Sequence, residues 1–327
     1  MFGQQNIKSE FIAKVNSLAS QGQAFLFVID FEIEKPLVFP ENQIPEDIRF
    51  TLPGLNIPSK NETPGNSFSF KASPPRFPEY NESFTKVLKQ IAHGNTYLIN
   101  LTFRSKIDTN LSLKEIYNNS KAKYKLYFKD KFTVFSPECF VKIEDGIISS
   151  YPMKGTIDAT IPDAKQKLLE DEKELAEHHT IVDLIRNDLS MVAEDVKVET
   201  FRYIDKLKTH KGELLQMSSK ISGKLPTDFK SMLGEIILKL LPAGSISGAP
   251  KPKTLEIINE VENYCRGFYT GIFGYFDGKD LDSAVMIRYI ENENGQFYFK
   301  SGGGITSMSN SKKEYDELIQ KIYVPIT

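Results

Sequence analysis

Apolar residues along this chain switch repeatedly between helical and strand spacing, and the switches outline its elements. Residues 8–20 read as a short helix, and the apolar run at 25–31 reads as a strand. Between Pro36 and Pro78 the pattern breaks, because nine of the 17 prolines lie there among Asn, Ser and Gly. Each proline fixes its own φ and removes a backbone donor, so loops and edge strands are expected over a core. From about Tyr80 the periodicity returns. Phe84, Val87, Leu88 and Ile91 predict a helix that Gly94 is placed to end. Strands are predicted at 97–103, 125–135, 140–143 and 147–151, then one long helix over 162–185 and a strand near 196–203. A helix at 229–240, a Gly/Ser/Pro loop and a helix at 252–261 follow. Strands at 269–276, 283–290 and 296–300 lead to a last helix beginning near Ser309. Strands and helices intersperse without a βαβ rhythm, which predicts an α+β fold with large antiparallel sheets.

Composition narrows the class without naming a function. The 327 residues suffice for one large domain or two ordinary ones. With 40% hydrophobic and 26% charged residues, the chain is expected to fold, not to remain disordered. A net charge of -2 gives no electrostatic case for nucleic acid or an anionic membrane. The N-terminus lacks the charged start and apolar core of a signal peptide, and the strongest apolar run, 25–29, is too short to span a bilayer. Cys139 and Cys265 make neither a metal spacing nor a disulfide framework, as expected for a reducing cytoplasm.

Candidate chemistry is scattered. Glu174 and Glu177 stand three apart in the long predicted helix, and Glu314 and Glu317 repeat the spacing in the last one, so each pair projects from one face. Magnesium, a hard cation that prefers carboxylate oxygens, would neutralise them. On spacing alone they also read as solvated faces, and interleaved lysines agree with that. Residues 241–251 form a Gly/Ser/Pro loop before a helix, and Ser301-Gly-Gly-Gly-Ile305 follows a strand. Such loops let backbone amides approach an anion, or are plain tight turns. The first is no nucleotide-binding loop, because Ala249 and Pro250 intervene before Lys251. Lys154, in Pro152-Met-Lys-Gly-Thr156, has the position of an amine at a strand end, which burial or a nearby cation could turn into a nucleophile; in isolation it reads as a solvated lysine. Glu138 and Arg288 are unremarkable in isolation.

Taken in order, these segments resemble the chorismate-utilising enzymes. The matching blocks are Ser136-Pro-Glu-Cys-Phe140, Pro152-Met-Lys-Gly-Thr156, Glu177-His-His-Thr-Ile-Val-Asp-Leu-Ile-Arg-Asn-Asp188, Gly244-Ser-Ile-Ser-Gly-Ala-Pro-Lys251, Arg266-Gly-Phe-Tyr-Thr-Gly271, Ile287-Arg288, Gly302-Gly-Gly-Ile305 and Glu314-Tyr-Asp-Glu317. They run from about Tyr80 to the C-terminus. The resemblance implies a single chorismate-binding domain over 1–327, in which 1–79 is a divergent N-terminal part and 80–327 the catalytic core. It implies two stacked antiparallel β-sheets flanked by helices, with the site in the cleft. Glu177 and Glu317 would hold Mg2+, with Glu174 and Glu314 reaching it directly or through water. One chorismate carboxylate would meet the metal, Lys321 and the amides of Gly302, Gly303 and Gly304. The other would meet Arg288 bidentately and the Tyr269 hydroxyl. Ser245 and Thr156 would line the pocket, and Glu138 would protonate the departing C4 hydroxyl. Asp183, Arg186, Asn187 and Asp188 would order the helix end.

Two positions then choose a branch. Lys154 resembles the aminodeoxychorismate synthases, whose lysine attacks C2 of chorismate before ammonia attacks C4. Leu98 stands where water-adding members carry a lysine base, and Gln216 where anthranilate synthases carry a histidine. The expectation is a chorismate-aminating subunit acting in 4-aminobenzoate and folate biosynthesis. Neither cysteine has a nucleophile-elbow context, so ammonia is expected from a separate glutamine amidotransferase. The chain ends soon after the second acidic pair, so no fused lyase is expected. An anthranilate synthase component I and a non-catalytic chorismate-binding protein are the alternatives. The second would need neither Glu138 nor Lys154.

Overall fold

Strand alternation in the middle of the chain becomes two antiparallel sheets. The structure, a computed structural model, describes residues 2–55, 68–209 and 212–326. Among them the first sheet has nine strands. In spatial order these are Met153–Asp158, Gly212–Lys224, Ile147–Ser150, Cys139–Glu144, Leu281–Val285, Ile272–Phe276, Phe25–Ile29 and Leu37–Pro40, with Glu194–Thr209 pairing on Gly212–Lys224. The second has eight: Gly248–Ala249, Leu98–Thr109, Gln296–Ile305, Tyr289–Glu293, Phe132–Ser136, Tyr124–Phe128 and Ile48–Thr51, with Phe70–Ser73 pairing on Leu98–Thr109. Leu26, Val28 and Phe273 of the first sheet pack with Phe50, Leu126 and Val134 of the second. Each such buried side chain contributes about 1.5–3 kcal/mol by leaving water. Helices cover the outside. Ile181 and Ile185 of helix Glu172–Ser190, and Ile257, Ile258 and Val261 of helix Lys251–Val261, join one apolar cluster. The α+β class and its stacked antiparallel sheets are as the sequence predicts.

Helix Phe77–Ala92 buries Tyr80, Ser83, Phe84 and Val87, the i, i+3, i+4, i+7 set of one face, and Gly94 follows at φ 75°. Three other predictions are corrected, and one strand is added. The long helix over 162–185 is two helices, Ala164–Glu170 and Glu172–Ser190, because the Asp171 carboxylate caps a new start by accepting from Glu174 N. The apolar run at 283–290 divides between the two sheets. The glycines 302–304 form no loop but continue strand Gln296–Ile305, paired with Leu101, Thr102 and Asn100 across the ladder. Strand Gly212–Lys224, which the sequence reading omits, pairs with both Met153–Asp158 and Ile147–Ser150.

Two of the chain's passages between the sheets are short and lie side by side. Strand Phe132–Ser136 lies in the second sheet and Cys139–Glu144 in the first, so Pro137 and Glu138 form one crossover. Leu281–Val285 lies in the first and Tyr289–Glu293 in the second, so residues 286–288 form the other. Arg288 turns this corner at φ 54°, a left-handed conformation. The crossovers bond to each other: Val285 N donates to Glu138 O and Phe135 N to Arg288 O, both at 3.2 Å.

A buried ion pair ties these layers together. Arg266 Nη2 and Nε donate to the Glu262 carboxylate at 2.7 and 2.8 Å, and both side chains are 1% exposed. The remaining donors are used as well: Nη1 reaches Ile246 O at 2.9 Å and Nη2 reaches Asn100 O at 2.6 Å. Glu262 also accepts from Thr102 N and its hydroxyl, at 2.8 and 2.9 Å. Removing one partner strands the other charge in a dry interior. Arg266→Met should therefore lower unfolding free energy by about 3–5 kcal/mol in a urea titration. A loss under about 1 kcal/mol would show that the pair organises nothing.

Candidate active site

Lys154 comes first, because two elements converge on it. It lies in strand Met153–Asp158, where the register shifts between Lys154 and Thr156 and Gly155 adopts φ 71°. Its Nζ is 3.4 Å from Glu177 Oε2, with the side chains 21% and 8% exposed. Both lie against Gly304. A methyl added there would meet Lys154 Nζ and Leu98 Cδ1 at 3.2 Å, and Glu177 Oε2 at 3.9 Å. Gly304 thus leaves room for the amine, and Leu98 supplies its apolar wall. A methyl at Gly155 would stand 3.2 Å from Glu174 Oε2, so the carboxylate one turn before Glu177 borders the same strand. Thr156 lies opposite Gln216 in the ladder; its side chain lies outside the described residues.

On the other side, helix Ser311–Gln320 presents Glu314 and Glu317, and its end presents Lys321. Lys321 Nζ contacts Glu317 Oε1 at 2.7 Å and donates to Gly302 O at 2.9 Å. A methyl on Gly303 would face Glu314 Oε2 and Lys321 Nζ, each at 3.8 Å. The ladder also fixes which amides are available. Thr102 N donates to Glu262, so the Gly302–Thr102 pair is of the non-hydrogen-bonded kind, and Gly304–Asn100 two residues on is the same. Gly302 and Gly304 therefore direct N–H groups to the edge that strand Tyr289–Glu293 leaves uncovered beyond Lys300, whereas the Gly303 N–H belongs to the ladder.

Glu138 occupies the crossover between these groups. Its carboxylate accepts a short hydrogen bond from Ser245 Oγ. Ser245 sits in helix Gly244–Ser247, whose Ile246 carbonyl Arg266 holds. Burial pushes the Glu138 pKa above the ordinary carboxylate value, while Ser245, Lys154, Arg288 and Lys321 oppose that rise. Glu138 and Ser245 also border a cavity of about 20 Å³, room for one water, otherwise walled largely by apolar residues including Phe140, Val141, Ile185, Leu189 and Leu240. Arg288 keeps a buried Nε with no hydrogen-bond partner among the described residues. Tyr269 is 3% exposed beside it, and burial raises its pKa so that it remains a donor.

The sequence-predicted residues thus gather around one cleft, with one difference. Among the described residues no three acidic, histidine or cysteine side chains are arranged to hold a metal ion. The glutamates stand as two pairs, with Lys154 at Glu177 and Lys321 at Glu317. As a donor set they fit a hard divalent cation: four carboxylates on two helices that flank the same glycine strand. Asp188 pairs with Lys251 at 2.7 Å and lies against Gly244, the residue before Ser245. Sequence reading missed Glu262, although its i, i+4 spacing to Arg266 was visible. It also missed His178, whose Nε2 meets Ser219 Oγ at 2.6 Å. Burial holds the His178 pKa down to about 4, so it stays neutral and fastens helix to strand.

Residues 41–327 match the family described as chorismate binding enzyme. The chain belongs to that family. An uncharacterized PabA-like protein of Haemophilus influenzae is 51% identical over 98% of both chains. Anthranilate synthase component 1 of Mycolicibacterium smegmatis is 33% identical, over 74% of this chain but 49% of that one. In fold the chain is similar to the menaquinone-specific isochorismate synthase of Escherichia coli, with TM-score 0.69 at 16% identity, over 96% of this chain and 80% of that one.

A raised pKa in the folded protein makes ionisation of Glu138 unfavourable to folding. Its penalty is absent below the ordinary value of 4.5 and grows as pH rises through the folded value. Glu138→Gln should therefore melt at the same temperature as the parent near pH ~4 and at a higher one near neutrality. An equal or lower melting temperature at neutral pH would contradict the burial argument.

Proposed function

We propose that this chorismate binding enzyme is the large subunit of an aminodeoxychorismate synthase, which replaces the C4 hydroxyl of chorismate with an amino group. The observation that carries the reading is the Lys154 amine, held between Glu177 and the Gly304 backbone in the cleft that also contains Glu138. Once deprotonated, an amine there can attack a ring carbon. The free Lys154 amine forms a bond to C2 while both conjugated ring double bonds shift and the C4 hydroxyl departs as water with the proton of Glu138. Ammonia then bonds to C4 and returns a proton to Glu138, both double bonds shift back, and the lysine amine leaves C2. Arg288, with its unmatched Nε, takes one substrate carboxylate, together with Tyr269. Lys321 and the outward amides of Gly302 and Gly304 take the other. Ser245 holds Glu138 towards the leaving oxygen. Magnesium, held by Glu177 and Glu317 with Glu174 and Glu314 behind them, would supply charge neutralisation for the second carboxylate. Ammonia would come from a glutamine amidotransferase partner, and the product would serve 4-aminobenzoate and folate synthesis in the cytoplasm. No described helix is long and apolar enough to cross a membrane.

The 33% identity to an anthranilate synthase component favours a second reading, amination at C2 with pyruvate loss. Lys154 and Gln216 count against it.

Purified protein with chorismate, magnesium and ammonium salt should form a product that added aminodeoxychorismate lyase converts to 4-aminobenzoate. Anthranilate in its place would establish the second reading. Lys154→Ala should lower aminodeoxychorismate formation by about 100-fold or more, and unchanged turnover would remove the covalent role. Chelation should stop the reaction and magnesium restore it, whereas Glu317→Gln should stay folded and gain nothing from added magnesium. Full activity of the chelated protein would end the metal assignment.

A further inference from the structure

The segment after helix Ser311–Gln320 is fastened to the body. Lys121 N donates to Pro325 O at 2.9 Å, and Ile326 bridges to Ser120. Val324 is buried in the cluster of Ile107, Phe135, Ile290 and Phe299. The residue before Val324 is exposed instead. That neighbour is Tyr323. Its ring lies 5.3 Å from Arg288 Cζ, in cation–π contact with the guanidinium, although the residue is 39% exposed. The Arg288 main chain is held separately, by its φ of 54° and by Phe135 N at its carbonyl. The ring therefore constrains what the backbone leaves free, the plane of the guanidinium.

We propose that Tyr323 is a positioning residue that stacks on Arg288 and sets the angle at which its fork meets a substrate carboxylate. This rests on the reading above that Arg288 receives a carboxylate of chorismate. An arginine side chain has many rotamers, and a site that leaves them free must restrict them when substrate arrives. The guanidinium carbon lies over the Tyr323 ring, so the ring limits the rotamers the side chain can take. The contact uses the aromatic face and not the hydroxyl, so phenylalanine should replace tyrosine without loss. An aliphatic residue of similar bulk keeps the packing and loses the attraction.

The test compares Tyr323→Phe, Tyr323→Leu, Val324→Ala and Arg288→Ala for chorismate binding by calorimetry and for steady-state kinetics. Tyr323→Leu should raise Kd and KM about threefold to tenfold with kcat within about twofold, and Tyr323→Phe should match the parent. Unchanged KM in Tyr323→Leu would overturn the proposal. An equal rise in Tyr323→Phe would also overturn it, because the ring face would not be what matters. Val324→Ala loosens the tail without touching the ring, so an equal rise there would make the effect structural and reject the stack. Arg288→Ala separates the two readings. If it binds chorismate as the parent does, the carboxylate assignment fails; if it loses binding while Tyr323→Leu does not, only the present inference fails.

Discussion

The Glu262–Arg266 pair is the constraint on which the site depends. Two charges at 1% exposure persist in an apolar interior only when every donor and acceptor is met, and the partners that meet them belong to the site's framework. Arg266 holds Ile246 O, which fixes the short helix bearing Ser245, and Asn100 O, which lies opposite Gly304. Glu262 holds Thr102 N, opposite Gly302. Because Thr102 N is engaged there, it cannot serve the ladder with Gly302, and the Gly302 peptide faces the cleft. A pair that touches neither Lys154 nor Glu138 thus determines which backbone amides the cleft presents.

The glycine strand turns that framework into a meeting place. A side chain at 304 would press on Lys154 and Leu98, whereas 303 faces Glu314 and Lys321 at ordinary contact distance. Backbone without side chains lets Glu177 of helix Glu172–Ser190, Lys154 of strand Met153–Asp158, and Glu314 and Lys321 at helix Ser311–Gln320 all approach one strand. Charge balance among these groups is local, which suits a cleft that must accept a dianionic substrate.

Much of this was legible in the sequence, and the omissions have physical causes. The acidic pairs, Lys154, Glu138, Arg288 and the glycine run could be placed in order because each is a local word in the chain. The α+β class followed from strands and helices interspersed without a parallel rhythm. What escaped was non-local. Periodicity continued through Asp171, and only cap geometry shows that the helix restarts there. The run at 283–290 is apolar on both sides of Arg288, so it reads as one strand although Arg288 carries the chain from one sheet to the other. Glycines 302–304 read as a loop because glycine disfavours strands, yet the ladder with Leu98–Thr109 holds them extended. Which side of the ladder each peptide faces depends on Glu262, 40 residues away in sequence from Gly302.

The paired crossovers have a consequence for how such a site can diversify. Glu138 and Arg288 stand where the chain changes sheets, and each corner bonds to the other, so neither can move without shifting the alignment of the two sheets. Leu98, Lys154 and Gln216 lie on strands, and a side chain there can change while its peptide keeps its place in the ladder. On the mechanism proposed above, the proton donor is therefore built into the architecture, whereas the residues that would select the incoming nucleophile sit on exchangeable strand positions.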